Sequence, residues 1–118
     1  MEFLRAELSR RGVAPARALD TLPDGKPVCV AGIVLVRQRP GTAKGITFVT
    51  LEDETGTANL IVRPAVWRRY REAALTATVL LARGRLQRQG LVIHVLTTGL
   101  EDQSPWLEQL DSQSRDFC

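Results

Sequence analysis

Five short stretches typical of β-strands, with one stretch typical of an α-helix between the third and the fourth, divide the chain between residues 28 and 98. The strand-like stretches are rich in Val, Ile, Leu and Thr, and most are separated by turns that contain glycine. They comprise residues 28–37, 46–53, 57–63, 78–87 and 91–98. Pro64 begins the helical stretch, which continues to Leu75, and proline is favoured at the first position of a helix. This order of elements limits the fold to small barrels of five strands.

The spacing of the turns narrows the choice of barrel. The first hairpin contains a long loop, residues 38–45, and glycines interrupt the first and fourth strands at Gly32 and Gly84. A glycine inside a strand indicates a bulge or a sharp bend. We therefore predict an all-β OB-fold, a five-stranded Greek-key barrel, with a helix between strands three and four and short flanking helices. Other five-stranded barrels remain open, but they seldom contain a helix at that position.

Three segments follow from these patterns. Residues 1–26 are predicted to form a helical lead-in, because residues 2–11 and 15–22 show helical spacing of apolar side chains. Residues 27–99 are predicted to form the OB-fold domain. Residues 100–118 are predicted to form a C-terminal helix, capped by Ser104, and a polar tail.

Positive charge is concentrated in the middle of the chain. The 118 residues include 16 Lys or Arg and 13 Asp or Glu, a net charge of +3. Residues 37–88 contain ten basic and four acidic side chains, whereas residues 89–118 contain one basic and five acidic side chains. A local basic field attracts polyanions such as nucleic acids. The alternative is an ordinary solvated surface.

The residue types that catalysis and metal binding need are scarce. His94 is the only histidine, and the two cysteines, Cys29 and Cys118, are far apart in the sequence. Metal sites need clusters of Cys, His or carboxylate side chains, and nucleophile and phosphate-loop motifs are absent from the sequence. We therefore expect no catalytic residue, no metal and no cofactor in this chain. The cysteine pattern and the lack of about 20 consecutive apolar residues indicate a cytoplasmic protein with no membrane contact.

The acidic run at residues 52–54 does not indicate a metal site, because adjacent residues of a strand point to opposite faces. We expect Asp53 instead to accept hydrogen bonds from backbone amides of the turn that follows it. The same alternation assigns the faces of strands two and three. The predicted core residues are Val49, Leu51, Ala58, Leu60 and Val62, and the predicted outer residues are Phe48, Thr50, Asn59, Ile61 and Arg63. In the alternative assignment, with the faces reversed, Phe48 belongs to the core.

The outer face of strands two and three is where OB-folds bind single-stranded nucleic acid. A base can stack on Phe48, and basic side chains of the first loop and the last hairpin would flank it. Trp67 is interpreted as a side chain that packs the helix on the barrel, and the other arginines of that helix as a solvated face. The candidate nucleic-acid-binding residues are Arg37, Arg39, Lys44, Phe48, Thr50, Asn59, Arg63, Arg85 and Arg88.

Several motifs resemble one bacterial family. The segment VAGIVLVRQRPGTAKG at 30–45, followed by FVTLEDETG at 48–56, resembles the C-terminal OB domain of DNA polymerase III alpha subunits, in particular their error-prone branch. That family often has an aromatic residue before the helix proline, where Arg63 stands here, and this difference favours a phosphate contact. The pattern Phe-x-x-Leu-x-Asp at 48–53 is also similar to the anticodon-binding OB domain of aspartyl-type tRNA synthetases, in which the phenylalanine stacks on a base.

The resemblance implies a non-catalytic fragment of a cytoplasmic DNA-directed DNA polymerase, a nucleotidyltransferase. It implies binding of single-stranded DNA on the template side, during damage-tolerant DNA synthesis and repair, beside the upstream polymerase domains of the same chain. The alternative is a docking module of that polymerase for other repair or clamp proteins. Trp106 and Leu107, in the acidic C-terminal segment, would then be apolar anchors.

Overall fold

The structure, a computed structural model, describes residues 12–39 and 45–103. Within these ranges the strands are β1 (Pro27–Gln38), β2 (Thr47–Asp53), β3 (Gly56–Val62), β4 (Val79–Gln89) and β5 (Val92–Asp102). The helices are a 3₁₀ helix (Ala16–Asp20), α1 (Pro64–Arg69) and α2 (Arg71–Thr76). The helices predicted at residues 2–11 and 104–110 lie outside the described residues. Across the described ranges, no helix has the length and apolar character needed to cross a membrane.

The five strands close into a barrel in the order β1-β2-β3-β5-β4. Neighbouring strands are antiparallel except β3 and β5, which pair in parallel at Leu60 and Val95. The long strand β1 pairs through its first half with β4 and through its second half with β2. This closed barrel, with two short helices between the third and fourth strands, confirms the predicted OB-fold.

Alternation along β2 and β3 produces the barrel core. Val49, Leu51, Ala58, Leu60 and Val62 are all buried, which confirms the predicted faces and shows that the reversed assignment is wrong. Leucines and valines of β4 and β5 complete the interior. Burial of an aliphatic side chain of this size contributes about 1.5–3 kcal/mol, so the packed barrel accounts for most of the stabilisation.

The two strand glycines allow backbones to approach closely. A Cβ atom on Gly32 would lie 2.5 Å from the carbonyl oxygen of Glu52, and one on Gly84 would lie 2.1 Å from that of Leu96. The β4–β5 pairing shifts next to Gly84, as the sequence predicted. In β1 the shift of the pairing with β2 lies between Val34 and Val36. The bulge therefore follows Gly32, and this glycine allows the close contact with the backbone of β2.

Other boundaries differ from the sequence prediction. The single helix expected from Pro64 to Leu75 is broken at Tyr70, whose backbone leaves the helical region (φ −113°, ψ 29°). Tyr70 packs against the core, and Ala74 of α2 is buried. The last two strands also extend further than expected, because Leu80 pairs with Asp102 and Gln89 with Val92.

Asp53 holds the N-terminal segment on the barrel. Its Oδ1 accepts hydrogen bonds from the backbone amides of Thr55 (2.7 Å) and Gly56 (3.2 Å), which confirms its predicted role in the turn. Its Oδ2 accepts a further bond from the amide of Ala16 (2.7 Å) at the start of the 3₁₀ helix. The helical turn expected at 15–22 is a 3₁₀ helix over Ala16–Asp20, with Ala16 and Leu19 packed into the core.

Candidate nucleic-acid interface

A row of paired residues crosses the outside of the barrel. Partners in a β-ladder share a face, and the pairings connect all five strands through Gln38, Phe48, Ile61, Leu96 and Arg85. The neighbouring row contains Thr50 paired with Asn59, and His94 paired with Gln87. We call the surface formed by Phe48, Thr50, Asn59, Ile61, His94 and Leu96 the strand face.

Phe48 lies in the middle of the strand face. Its ring is half-buried, and its centroid is 6.4 Å from that of His94, with the ring planes inclined at 55°. A tilted neighbour of this kind supports an aromatic ring at its edge. The ring is therefore held in position while part of it remains accessible to a planar ligand.

A polar pair lies beside the aromatic ring. The hydroxyl of Thr50 donates a hydrogen bond of 3.2 Å to Oδ1 of Asn59, which is itself exposed. Because this bond uses the side-chain oxygen of Asn59, the amide N–H groups can serve as donors to a ligand. The strand face thus combines a stacking surface with an oriented hydrogen-bond donor.

Two of the predicted arginines border this surface. Arg85 belongs to the row that contains Phe48, and its Nη1 donates to the carbonyl of Gly25 at 3.2 Å. Arg63 is exposed and follows β3 in an extended conformation (φ −72°, ψ 157°), two residues beyond Ile61. Alternation therefore directs Arg63 toward the same side of the sheet as Ile61.

Arg37 and Arg39 lie elsewhere, although the sequence predicted that they would flank Phe48. Arg37 is paired with the buried Val49, and its guanidinium donates to the carbonyls of Ala74 (2.6 Å, from Nε) and Ala77 (from Nη2). It thereby caps the end of α2. Arg39 donates from Nε to the hydroxyl of Thr47 at 3.3 Å.

Arg88 is held beside the N-terminal 3₁₀ helix. Its Nη2 donates to the carbonyls of Leu19 (3.0 Å), Asp20 (2.9 Å) and Leu22 (2.7 Å), just where the 3₁₀ helix ends. These bonds orient the guanidinium toward the lead-in segment. Its contact with nucleic acid stays a prediction, and Lys44 lies outside the described residues.

The sequence interpretation did not include His94 and Leu96 in the site. Both alternate with the buried Val95 on β5, and this alternation was the available signal. The parallel register of β3 and β5, which pairs Ile61 with Leu96, could not be predicted from the sequence. Within residues 12–39 and 45–103, no three His, Cys, Asp or Glu side chains group as potential metal ligands.

Residues 28–101 match a family model described as OB-fold nucleic acid binding domain. The chain belongs to this family. The matched range begins at the second residue of β1 and ends one residue before the end of β5, so it coincides with the barrel. The strand face described above therefore lies entirely within the matched domain.

Curated relatives extend this likeness over almost the whole chain. The chain is 50% identical over 117 residues to the error-prone DNA polymerase of Azoarcus sp. (strain BH72), covering 99% of this chain and 11% of that protein. It is 46% identical over 117 residues to error-prone DNA polymerase 1 of Rhizobium meliloti (strain 1021), covering 99% of this chain and 10% of that protein. The chain thus spans about a tenth of the length of these relatives, and the resemblance to error-prone polymerases is confirmed.

Solved structures share the fold at lower identity. The crystal structure of asparaginyl-tRNA synthetase from Pyrococcus horikoshii complexed with asparaginyl-adenylate superimposes with a TM-score of 0.65 and 20% identity. The match covers 77% of this chain and 22% of the synthetase. At this identity the likeness concerns the barrel architecture alone.

Proposed function

We propose that this chain is the single-stranded DNA-binding module of an error-prone DNA polymerase, positioned on the template side during damage-tolerant synthesis and repair. In this proposal the module binds and guides DNA in the bacterial cytoplasm, and polymerisation belongs to upstream domains of the same polypeptide. The family match and the error-prone polymerases among the relatives support the proposal.

One structural observation carries this proposal: Phe48 and Asn59 lie together on the strand face of the barrel. An aromatic ring binds unpaired bases by stacking, which contributes about 1–3 kcal/mol per base and tolerates any sequence. Bases inside a duplex cannot reach such a ring, so the surface favours single strands. The amide of Asn59, oriented by Thr50, can donate a hydrogen bond to the edge of the stacked base.

Arg63 and Arg85 complete the proposed contact from two sides. Their position at the borders of the strand face suits the phosphates of a strand whose bases point inward. Phosphate contacts release counterions, and binding therefore weakens as salt rises. Because the cations lie at the borders of the strand face and the aromatic ring lies in its middle, we expect affinity there to depend on stacking more than on charge.

The direct test is fluorescence anisotropy of a labelled oligo-dT, titrated with the 118-residue chain at low and moderate salt. We expect Phe48→Ala and Phe48→Leu to weaken binding about 5- to 150-fold, the equivalent of one stacked base. Phe48→Trp, which keeps an aromatic ring, is the matched control and should retain affinity. Equal affinity of the leucine and tryptophan variants would contradict stacking on this residue.

A protein-docking function is the second candidate, and one observation favours it. Leu91 is 99% exposed and Val92 54% exposed, at the tip of the β4–β5 hairpin. Exposed apolar side chains at a hairpin tip suit a contact with another replication or repair protein, such as a clamp. The predicted anchors Trp106 and Leu107 lie outside the described residues. Failure of the unchanged chain to bind oligo-dT even at low salt would favour this candidate over the first.

A further inference from the structure

A second, strongly basic surface lies where the barrel meets its helices. An open cavity of about 850 Å³ separates the end of β1 and the start of β2 from α1 and α2. We call it the arginine cleft, and the residues that define it are Arg37, Arg39, Thr47, Trp67, Arg68 and Arg71. None of the described residues that line it is acidic.

Two of its guanidinium groups are held in place by uncharged partners. Arg37 is fixed by the carbonyls of Ala74 and Ala77 at the end of α2. The guanidinium carbon of Arg39 lies 5.6 Å from the ring centroid of Trp67, while its Nε donates to Thr47. Carbonyl, hydroxyl and indole groups orient these cations without neutralising them. Their charge therefore remains available to a ligand.

Arg68 and Arg71 add two exposed cations from consecutive helices. Taken alone they would form an ordinary solvated helix face. Here they line the same cavity as the two oriented guanidinium groups, and a cleft lined by charges of one sign attracts anions. The planar fork of arginine matches the oxygen atoms of a phosphate group.

We propose that the arginine cleft binds the phosphodiester backbone of the DNA strand whose bases stack on the strand face. This inference rests on the proposed function and extends it. Thr47, in the cleft, and Phe48, on the strand face, are adjacent residues of β2 with side chains on opposite sides. A strand that leaves Phe48 therefore needs only to pass the start of β2, at Thr47, to reach the cleft, and its backbone continues there.

The test compares two double variants with the same change in net charge. Arg68→Gln/Arg71→Gln removes two cations from the cleft. The control, Arg17→Gln/Arg83→Gln, removes two exposed arginines that border neither surface, one on the 3₁₀ helix and one in a surface ion pair with Glu101. Affinity for an oligo-dT of about 20 nucleotides, long enough for one OB-fold site, is measured by anisotropy over a series of salt concentrations.

A phosphate contact on a single strand contributes about 0.7 to the slope of log affinity against log salt. We therefore expect the cleft variant to reduce this slope by about 1.4 and the control variant to leave it nearly unchanged. Equal slopes for the two double variants would overturn the proposal, and they are the result expected if the cleft binds an acidic protein instead.

Phe48→Ala, measured in parallel, separates this inference from the proposed function. It should lower affinity without changing the salt slope, because stacking releases no counterions. If Phe48→Ala has no effect while the cleft variant lowers the slope, the stacking proposal fails and the cleft stands. If the unchanged chain does not bind oligo-dT at low salt, both fail.

Discussion

The strand face and the arginine cleft share one strand, β2, and differ in almost every chemical respect. The strand face presents the ring of Phe48 and the amide of Asn59, with cations only at its borders. The cleft gathers four arginines around Trp67. Since neighbouring residues of a strand point to opposite sides, one short segment supports both surfaces. In the proposed function, this difference separates contact with bases from attraction of phosphates.

The separation also predicts different responses to solution conditions. Stacking on Phe48 depends little on ionic strength, whereas contacts of arginine with phosphate weaken steeply as salt rises. Changes to either surface should therefore be distinguishable in one salt titration. The following variants test the division, from the largest expected effect to the smallest.

Gly84→Ala should disrupt the strand face most severely. The added Cβ would lie 2.1 Å from the carbonyl oxygen of Leu96 and 2.8 Å from its carbonyl carbon, and neither backbone atom can move without separating β4 from β5. We expect the free energy of unfolding in urea to fall by at least about 3 kcal/mol. Gly99→Ala is the control, because its nearest neighbour is the movable end of Arg83, at 2.9 Å. A similar loss in both variants would contradict this explanation.

Arg37→Gln should damage the arginine cleft and spare the strand face. It removes two charge-assisted hydrogen bonds to the carbonyls of Ala74 and Ala77, and we expect a loss of about 1–2 kcal/mol in urea unfolding. Arg39→Gln, which loses a longer bond of 3.3 Å to Thr47 and an exposed contact with the Trp67 ring, should cost less. Adding Phe48→Ala to the Arg37 variant should reduce oligo-dT affinity by the same factor as Phe48→Ala alone. A smaller reduction in the double variant would mean that the two surfaces are not independent.

Thr50→Val should have the smallest effect, confined to base preference. The substitution keeps the β-branched shape but removes the hydroxyl that bonds Asn59, so the amide loses its orientation. We expect stability to change by less than about 0.5 kcal/mol and the ratio of oligo-dT to oligo-dC affinity to change by a few-fold, measured by competition. Thr57→Val, at an exposed site on β3, should leave this ratio unchanged. A change of the ratio in both variants would count against a role for Asn59.

Local patterns were sufficient to predict the barrel and one side of the site. Alternation in 46–53 and 57–63 placed Leu51 and Leu60 in the core and Phe48 outside. In a strand with one buried face, successive side chains point alternately to the core and to the outside, so the sequence shows which residues share a face. The turn after Asp53 was predictable for the same local reason. The break at Tyr70 was not predictable, because residues 65–75 contain no glycine or proline that would signal it.

The hydrogen-bond partners of the arginines could not be predicted from the sequence. The positions of Arg37, Arg39 and Arg88 at the first loop and the last hairpin predicted that they would lie near the expected ligand. In the structure Arg37 bonds to carbonyls 37 and 40 residues away, and Arg88 to carbonyls 66 to 69 residues away. No pattern within one segment encodes partners at such separations.

By itself, the sequence determined the order of the strands, the residues of the core and the position of Phe48 on the outer face, because these follow from local periodicity and turn chemistry. The tertiary structure alone decided where the long cationic side chains end. An arginine has several rotatable bonds, and the carbonyls, hydroxyls and rings that orient it come from distant parts of the chain. For that reason the basic surface lies beside the helices, while the aromatic surface lies on the strands.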